Sequence, residues 1–277
     1  MPELPEVETV VRDLRPLLVG RSFGAIAAGR QKLRRPWSAA WAGDVTGQAV
    51  EAIRRRGKWI VVSLASDKQL LFHLGMTGQL TVTPVATPVA DHTHLVFALI
   101  GTSDQLRFRD IRRFGGVTLF DSAASVDGFL AETLGPEPFD LSGAAFAASV
   151  RATGRCLKAV LLDQHVVAGV GNIYADESLH LARLHPARRG TGVTPAECGR
   201  LRIAVVEVLT LAIESRGSTI RDYVGGSGLR GGYQERFRVY GRTGEPCPTC
   251  GAAVECSRLA GRSSHYCPAC QPAPSGS

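Results

Sequence analysis

The sequence predicts a two-domain α+β protein whose first half is rich in strands and whose second half is helical. Residues 22–120 consist of short apolar runs separated by Gly, Pro, Asp and Ser, which is typical of the strands of a sandwich or barrel. Residues 144–224 carry apolar side chains at helical spacing. The turn formers of residues 135–143 indicate a connection between the two halves. Two C-x-x-C pairs near the end indicate a small metal-binding module.

Three further segments complete the predicted outline. Residues 7–19 have apolar side chains at helical spacing, which predicts a first helix that is broken late by Pro16. The Gly-rich residues 225–234 have no periodicity and predict a mobile loop. The last residues, 272–277, are rich in Pro, Gly and Ser and predict a disordered tail.

The composition indicates a soluble protein with a polyanionic partner. The 277 residues include 32 basic and 25 acidic side chains, which gives a formal net charge of +7. A basic surplus of this kind suits a surface that binds nucleic acid. No uninterrupted apolar run approaches the roughly 20 residues needed to span a bilayer, and the acidic N-terminus does not resemble a secretory signal. We therefore expect a cytoplasmic protein without a membrane partner.

The cysteine pattern predicts one structural zinc ion. Cys247, Cys250, Cys267 and Cys270 form two C-x-x-C pairs with 16 residues between them. At this spacing two knuckles supply four thiolates to a tetrahedral Zn²⁺ and leave no open position for chemistry. The interval is long enough for a β-hairpin. His265 lies within it as an alternative ligand, but the four cysteines already fill the site.

The first residues predict an unusual nucleophile. Pro2 follows Met1, and because proline is small, removal of Met1 is expected to leave a secondary amine at the N-terminus. An α-amine has a pKa of about 7.7–8.0, so a useful fraction is unprotonated near neutral pH. A secondary amine that condenses with an aldehyde-level carbon gives an iminium ion, which accepts electrons as a Schiff base does. An ordinary start codon followed by a loop is the plain alternative.

Basic segments with interleaved aromatic residues predict a surface that binds phosphates. Residues 54–59 (RRRGKW) lead into a predicted strand, and residues 107–115 (RFRDIRRFG) alternate cations with aromatic rings. Solvated charges along a strand explain one such segment more readily than two. Residues 156–177 predict two helices joined by a glycine turn, with Asn172 capping the second helix beside free backbone N–H groups. Arg262, at the predicted hairpin turn, suits phosphate contact through its planar guanidinium.

The motifs occur in one order along the chain: PELPEVET (2–9), GK (57–58), HLGMTG (73–78), RRFG (112–115), DQ (163–164), GVGNIYADE (169–177) and the C-x-x-C pairs. In this order the chain closely resembles bacterial formamidopyrimidine-DNA glycosylase, of the formamidopyrimidine-DNA glycosylase and endonuclease VIII family, over nearly its whole length. The resemblance implies an N-terminal β-sandwich with flanking helices, then a helical domain with a helix–two-turn–helix element and a β-hairpin zinc finger. The implied domains are residues 2–134, residues 135–237 with a lesion-capping loop at 225–234, and residues 238–271.

The resemblance implies a bifunctional enzyme of base excision repair that removes oxidised purines, such as 8-oxoguanine and formamidopyrimidines, from duplex DNA. In that family the residue matching Pro2 attacks C1′ of the damaged nucleotide and displaces the base, and the iminium that forms permits β- and δ-elimination. Glu3 matches a carboxylate that transfers protons at the sugar. Lys58 matches a hairpin lysine that contacts phosphate and assists catalysis. Three further positions of the family's active site correspond to Glu6, Glu177 and Arg262.

The resemblance also implies that the damaged nucleotide is flipped out of the duplex, so that the enzyme reaches C1′. In the matching positions, Arg112 pairs with the orphaned cytosine, Phe114 wedges between base pairs and Met76 takes the place of the lesion. Asn172 and Arg262 match phosphate clamps. The other positions expected to contact DNA are His73, His92, Lys158 and Tyr174. We expect the protein to bind damaged double-stranded DNA as a monomer.

Three other functions compete with this interpretation. The endonuclease VIII branch shares much of the pattern but prefers oxidised pyrimidines; Leu4 and the three residues that fill the vacated space favour the purine branch. A non-catalytic binder of damaged DNA does not need an intact Pro2, Glu3 and Lys58. A zinc-ribbon transcription factor does not explain the strand-rich half. The extra Arg230 in the Gly-rich loop leaves the lesion preference open.

Overall fold

The computed structural model describes residues 1–29, 31, 33–219 and 225–274. The chain forms two compact units, each with its own core. The first contains Met1–Glu132 and Ser215–Gly232, and the second contains Thr133–Glu214 and Tyr233–Ser277. Strands dominate the first unit and helices the second, which confirms the predicted α+β class.

The first unit is built on two four-stranded antiparallel sheets. One has the strand order β2-β3-β4-β8, from Val50–Arg56, Trp59–Leu64, Gln69–His73 and Gly116–Phe120. The other has the order β1-β6-β7-β5, from Phe23–Ala28, Thr93–Leu99, Asp104–Asp110 and Gly78–Pro84. Phe72 on the first sheet meets Phe97 and Phe108 on the second, with ring centroids 6.1 and 6.2 Å apart. The sheets therefore enclose one core, as the predicted β-sandwich requires.

Among the described residues, this unit has three α-helices: α1 (Leu4–Leu18), α2 (Trp41–Val45) and α3 (Ala123–Thr133). Helix α1 buries one apolar face in the sandwich core, and the fully buried residues of that face are Val7, Val10, Val11, Leu14 and Leu18. The helix begins three residues before the predicted start because Glu3 and Glu6 form a reciprocal capping box. Pro16 lies within the last turn. Its missing N–H removes one backbone bond there without ending the helix.

The Gly-rich segment packs closely against α1 in its described part. A Cβ atom on Gly226 would lie 2.7 Å from Leu14 Cγ and 2.9 Å from the Val10 carbonyl oxygen. One on Gly225 would lie 2.4 Å from Asp13 Oδ2. These distances leave room for glycine alone. The glycines therefore permit close packing on the helix, a role that the prediction of a mobile loop does not include.

Asp13 of α1 accepts hydrogen bonds from two residues, Arg216 and Ser227, the second of which lies in the Gly-rich segment. Its Oδ2 atom accepts hydrogen bonds from Arg216 Nη2 at 2.7 Å, from Ser227 Oγ at 2.9 Å and from the Ser227 backbone N–H at 3.2 Å. Residues 215–232 consequently belong to the first unit, whereas the domain prediction assigns them to residues 135–237. The chain leaves this unit near residue 132 and returns to it, and no local pattern in the sequence reports such a return.

In its described part, the second unit contains four α-helices and one β-hairpin. The helices are α4 (Gly143–Arg151), α5 (Leu157–Leu162), α6 (Asn172–Leu181) and α7 (Pro195–Glu214), and the hairpin strands are β9 (Glu255–Leu259) and β10 (Arg262–Tyr266). Of the predicted tail, residues 272–274 lack regular secondary structure, and residues 275–277 lie outside the described residues. In the described part of the chain, no helix has the length and hydropathy that crossing a membrane requires.

Replacing Asp13 with alanine is expected to loosen the segment that it holds. The change removes the acceptor of three hydrogen bonds, which we expect to lower the local stability by about 2 kcal/mol and to speed amide exchange roughly 30-fold. Hydrogen–deuterium exchange of peptides covering 215–219 and 225–231 measures this. Arg12→Ala is the matched control, since Arg12 lies on the same helix, is exposed and pairs with Glu8 alone. Equal exchange in Asp13→Ala and the wild type would show that Asp13 does not hold the segment.

Candidate functional site

The predicted nucleophile lies at the start of α1, beside the capping box. Pro2 is buried and Glu3 is 2% exposed, whereas Met1 is 46% exposed. The Glu3 backbone N–H donates to Glu6 Oε2 at 2.8 Å, and the Glu3 carboxylate accepts the backbone N–H of Glu6 in return. The box therefore fixes the chain direction at Pro2 and keeps Glu3 beside it.

Glu6 also binds a residue that the sequence analysis missed. Its Oε1 atom accepts the backbone N–H of Ser218 at 2.8 Å and the Ser218 hydroxyl at 3.0 Å. The preceding Gly217 has φ +73°, and a Cβ there would lie 2.8 Å from the same oxygen. Ser218 has no distinguishing sequence signal, because its position depends on a contact 212 residues away along the chain. One buried carboxylate thus joins Ser218 to the N-terminus.

Lys58 occupies the turn of the β2–β3 hairpin. The turn is made by Gly57, with φ +56°, and Lys58, which is 8% exposed. The neighbouring Arg55 binds Glu8 of α1 through Nε and Oε2 at 2.9 Å. Burial raises the pKa of the Glu8 carboxyl, but the hydrogen bonds and charges of Arg12 and Arg55 outweigh it, so the pKa lies below its usual value. This ion pair joins the hairpin that carries Lys58 to the helix that carries Glu3.

Met76, Arg112 and Phe114 lie on two loops that one buried carboxylate holds together. Asp110 has no exposed surface. Its Oδ1 accepts the Thr77 hydroxyl at 2.5 Å and its Oδ2 accepts the Gly115 N–H at 2.7 Å. The Thr77 hydroxyl oxygen in turn accepts the Arg112 N–H at 3.0 Å. Asp110 was not predicted, although a single acid within the basic segment 107–115 is a signal that could have indicated it.

Glycines let these two loops approach each other. A Cβ on Gly75 would lie 2.4 Å from the Gly115 nitrogen, and one on Gly115 would lie 2.5 Å from the His73 carbonyl oxygen. Phe114 remains 43% exposed at the tip, and the Arg112 guanidinium carbon lies 4.8 Å from the centroid of its ring. Met76 is half-buried on the facing loop. The two closely packed loops thus present an exposed aromatic ring and a cation, which is the combination expected of a wedge between base pairs.

The two predicted DNA-contacting histidines of this unit differ in environment. The His73 ring lies 4.5 Å from the Trp59 ring. Burial, with Arg35 and Lys58 nearby, lowers the pKa of His73 to about 4, so its imidazole is neutral near pH 7. His92 is exposed with φ +65°, and its carbonyl accepts the Asp110 N–H at 3.0 Å. This hydrogen bond links His92 to Asp110, the residue that holds the two loops together.

In the second unit, Asn172 is the first residue of α6, and Gly171 occupies the capping position that was predicted for Asn172. Asn172 Nδ2 donates to Ser263 Oγ at 3.3 Å, which places its amide beside the hairpin residue that follows Arg262. The Lys158 side chain, for which a DNA contact remains a prediction, lies inside this unit. The Lys158 ammonium is fully buried and donates to Asp176 Oδ1 at 2.5 Å and to the Asn172 carbonyl at 2.9 Å.

Asp176 links helix α6 to the hairpin. Besides Lys158, it accepts the His265 backbone N–H at 3.0 Å and lies 3.1 Å from His265 Nδ1. Asp176 therefore holds the Nδ1 side of the His265 ring, and the metal-binding cluster found among the described residues consists of the four cysteines without His265. Arg262 begins β10, next to a turn in which Ala260 and Gly261 have φ +49° and +72°, and it is exposed. The arrangement holds Arg262 and Asn172 on elements that a single carboxylate joins.

Two further predicted residues are internal to the second unit. Tyr174 has no exposed surface and packs on Tyr233 with ring centroids 5.7 Å apart. Glu177 is also fully buried, and its carboxylate accepts the backbone N–H groups of Arg238, Val239 and Tyr240 at 2.8–3.0 Å. From these positions both side chains stabilise this unit. A DNA contact of Tyr174 and active-site support by Glu177 stay predictions.

The four cysteines form a cluster that fits zinc. Their Sγ atoms all lie within 4.8 Å of one another, and Cys250 and Cys267 are 3.4 Å apart. A tetrahedron with Zn–S bonds of about 2.3 Å has sulfur–sulfur edges of about 3.8 Å. Burial raises the pKa of the Cys247 thiol, but N–H donors from Thr249 and Cys250 lower it overall to about 7. Backbone donors that favour a thiolate are what a zinc knuckle requires.

The chain matches three family descriptions in sequence. Residues 1–117 match the formamidopyrimidine-DNA glycosylase N-terminal domain, and residues 134–224 match the formamidopyrimidine-DNA glycosylase H2TH domain. The chain belongs to the formamidopyrimidine-DNA glycosylase family. Residues 244–273 match a zinc finger found in FPG and IleRS, which confirms one structural zinc ion on the four cysteines.

Formamidopyrimidine-DNA glycosylases of several bacteria are similar to this chain over most of their length. The Thermomicrobium roseum enzyme is 44% identical to this chain, in an alignment that covers 98% of this chain and 99% of the relative. The Moorella thermoacetica enzyme is also 44% identical, and the alignment covers 92% of this chain and 94% of the relative. Among solved structures, a Lactococcus lactis Fpg in complex with DNA containing an abasic site has a TM-score of 0.91 and 35% identity, covering 98% of this chain and all of that chain. A mutant of the same protein, with Fapy-dG-containing DNA, has the same values.

Replacing Asp110 with asparagine is expected to destabilise the first unit. An amide cannot reproduce both carboxylate acceptors, so one donor at Thr77 or Gly115 loses its partner, which we expect to lower the free energy of unfolding by about 1–3 kcal/mol. The three tryptophans all lie in this unit, so their fluorescence during urea unfolding measures it. Asp104→Asn, at the other end of β7, is the control and should remain near the wild type. An unchanged unfolding midpoint in Asp110→Asn would refute this role.

Proposed function

We propose that this protein is a bifunctional DNA glycosylase and abasic-site lyase that excises oxidised purines from duplex DNA. The observation that carries the proposal is the start of the chain, where Pro2 precedes Glu3 in a box closed by Glu6. The family relationship supports the glycosylase activity, since relatives that share up to 44% of this sequence have the name formamidopyrimidine-DNA glycosylase.

In the proposed reaction the nitrogen of Pro2, freed by removal of the exposed Met1, attacks C1′ of the damaged nucleotide. The N–C1′ bond forms as the bond from C1′ to the base breaks, and the base leaves with the electron pair and takes a proton. Ring opening gives an iminium, which acidifies the 2′ hydrogens. Loss of one 2′ proton expels the 3′ phosphate, and a second elimination expels the 5′ phosphate. Water then hydrolyses the iminium, which releases the sugar remnant as an aldehyde and restores the amine of Pro2. A single-nucleotide gap flanked by phosphates remains.

Within this proposal the buried acids near Pro2 have separate roles. Glu3 exchanges protons at the sugar, because a carboxylate next to the amine in sequence reaches the same atoms. Glu6 is engaged by the Glu3 N–H and by Ser218, so it holds the site in place. Lys58, at its hairpin turn, contacts a phosphate of the damaged strand. Its hairpin is anchored on α1 by the Arg55–Glu8 pair.

We assign DNA binding to residues of both units that are exposed or partly exposed. Phe114 wedges between base pairs, Arg112 pairs with the orphaned base, and Met76 fills the vacated space, an arrangement that offsets the cost of unstacking. Arg262 and Asn172 bind phosphates, and the zinc ion keeps the hairpin of Arg262 folded. His73 and His92 are assigned to further DNA contacts. Lys158 acts indirectly, because its ammonium holds the Asn172 carbonyl.

We propose that the excised lesions are oxidised purines and not oxidised pyrimidines. Names of relatives and the Lactococcus lactis complexes with Fapy-dG-containing DNA favour purine lesions. The endonuclease VIII branch would instead excise oxidised pyrimidines. Duplexes containing 8-oxoguanine or thymine glycol distinguish the two: we expect release from the first, and release from thymine glycol alone would reverse the assignment. We further propose that the protein acts as a monomer in the bacterial cytoplasm.

The covalent step is tested with Pro2→Gly. Sodium borohydride reduces the iminium, so the wild type should form a stable adduct with an 8-oxoguanine duplex. Pro2→Gly is expected to reduce trapping and base release by at least about tenfold, because the secondary amine is lost, while binding measured by gel shift changes little. Pro16→Ala, which alters an exposed proline of the same helix, is the control and should behave as the wild type. A wild-type protein that gives no adduct with either 8-oxoguanine or abasic duplexes would contradict the proposed enzyme.

A further inference from the structure

Helix α6 contacts the zinc module at every turn of one face. Asn172, Asp176 and His180 are spaced four residues apart, so their side chains lie on the same side of the helix. Asn172 binds Ser263 and Asp176 binds His265, as described above. His180, one turn further, lies with Nε2 at 3.4 Å from the Sγ of Cys247. The first two contacts hold the hairpin, and the third meets the cysteine cluster.

His180 is enclosed at this contact. It is 3% exposed, and Cys247 is likewise 3% exposed, so the 3.4 Å contact between the imidazole and the sulfur is shielded from bulk solvent. Nothing in the sequence motifs singled out His180, which lies beyond the residues that carry the family resemblance. The other ring nitrogen, Nδ1, is buried and has no hydrogen-bond partner in the described part of the chain.

The surroundings determine which nitrogen carries the proton of the neutral ring. With hydrogen on Nε2, the ring donates to the Cys247 sulfur, and the unpartnered atom is an acceptor. With hydrogen on Nδ1, a buried N–H has no acceptor and the Nε2 lone pair faces a sulfur that carries negative charge as a ligand. Burying a polar group without a partner is costly, and the second arrangement adds repulsion. The first tautomer is therefore favoured.

We propose that His180 is an outer-sphere residue of the zinc site, whose Nε2–H donates to the Cys247 thiolate and couples the metal to helix α6. The hydrogen bond lowers the electron density on the sulfur and fixes the direction of the thiolate. Groups that hold ligands in this way contribute about 10–100-fold to metal affinity. Zinc then stabilises, through α6, the end of the helix at which Asn172 lies.

The inference depends on the zinc site alone and not on the proposed catalysis. The cysteine sulfurs are mutually within 4.8 Å and complete a tetrahedral set without His180, so the histidine is a donor to a ligand and not itself a ligand. His180 is thus a positioning residue, and its removal should alter the metal site even in the absence of DNA.

The test compares His180→Phe, which keeps a ring but removes the donor, with His180→Gln, which restores an N–H near the position of Nε2. Zinc release from the full-length protein to excess chelator is measured with a colorimetric zinc indicator. Co²⁺-substituted protein reports the thiolates through its charge-transfer band. His185→Phe is the control, because His185 packs on Tyr266 of the same module, with ring centroids 4.5 Å apart, and its Nδ1 accepts the backbone N–H of Ala187 instead of facing a sulfur.

We expect zinc release to be at least about tenfold faster in His180→Phe, and the cobalt band to move to lower energy, because an unbonded thiolate gives up electrons more readily. His180→Gln and His185→Phe should remain within about threefold of the wild type. A retained tetrathiolate band in His180→Phe shows that the module is folded. Unchanged release and an unchanged band in His180→Phe would overturn the inference, as would a wild-type spectrum of three sulfurs and one nitrogen, which would make His180 a ligand.

Discussion

Buried carboxylates that accept backbone N–H groups hold the segments on which the function depends. Glu6 binds the N–H groups of Glu3 and Ser218, Asp110 binds that of Gly115, and Asp176 binds that of His265. Hydrogen bonds to a charged acceptor are worth more than neutral ones, and an unsatisfied buried charge is costly. Each acid therefore favours one geometry of the segment that donates to it. Without these acceptors, we expect the segments that carry Pro2, Phe114 and Arg262 to be held less firmly.

This arrangement suits an enzyme that distorts its substrate. Flipping a nucleotide and wedging a ring into the duplex costs several kcal/mol, and a protein that also had to order its own loops would add conformational entropy to that cost. Close packing at Gly75 and Gly115 and the hydrogen bonds of Asp110 fix the loop of Phe114, the residue proposed to wedge between base pairs, before DNA binds. The zinc cluster and Asp176 do the same for the hairpin. Preorganisation leaves more of the binding energy for the distortion of DNA.

Much of the fold was predictable because periodicity and short motifs report local structure. The strand-rich half, the cysteine knuckles and the helix after Gly171 follow from spacing alone. The burial of Lys158, Tyr174 and Glu177 did not follow, because a motif identifies a residue but does not tell whether its side chain faces solvent or core. Ser218 and Asp13 were missed because their partners lie about two hundred residues away in sequence. Gly225 and Gly226 were predicted to lie in a mobile loop because the sequence does not show that they pack on α1.

The most direct measurement for the catalytic account is the position of the covalent bond in the borohydride-trapped complex. Digestion of the wild-type adduct with protease and nuclease, followed by mass spectrometry, identifies the residue that carries the sugar remnant. The account predicts the remnant on the nitrogen of Pro2, in an N-terminal peptide that has lost Met1. A remnant on Lys58, or a trapped protein that retains Met1, would contradict it, because the nitrogen of Pro2 would then be an amide or a bystander.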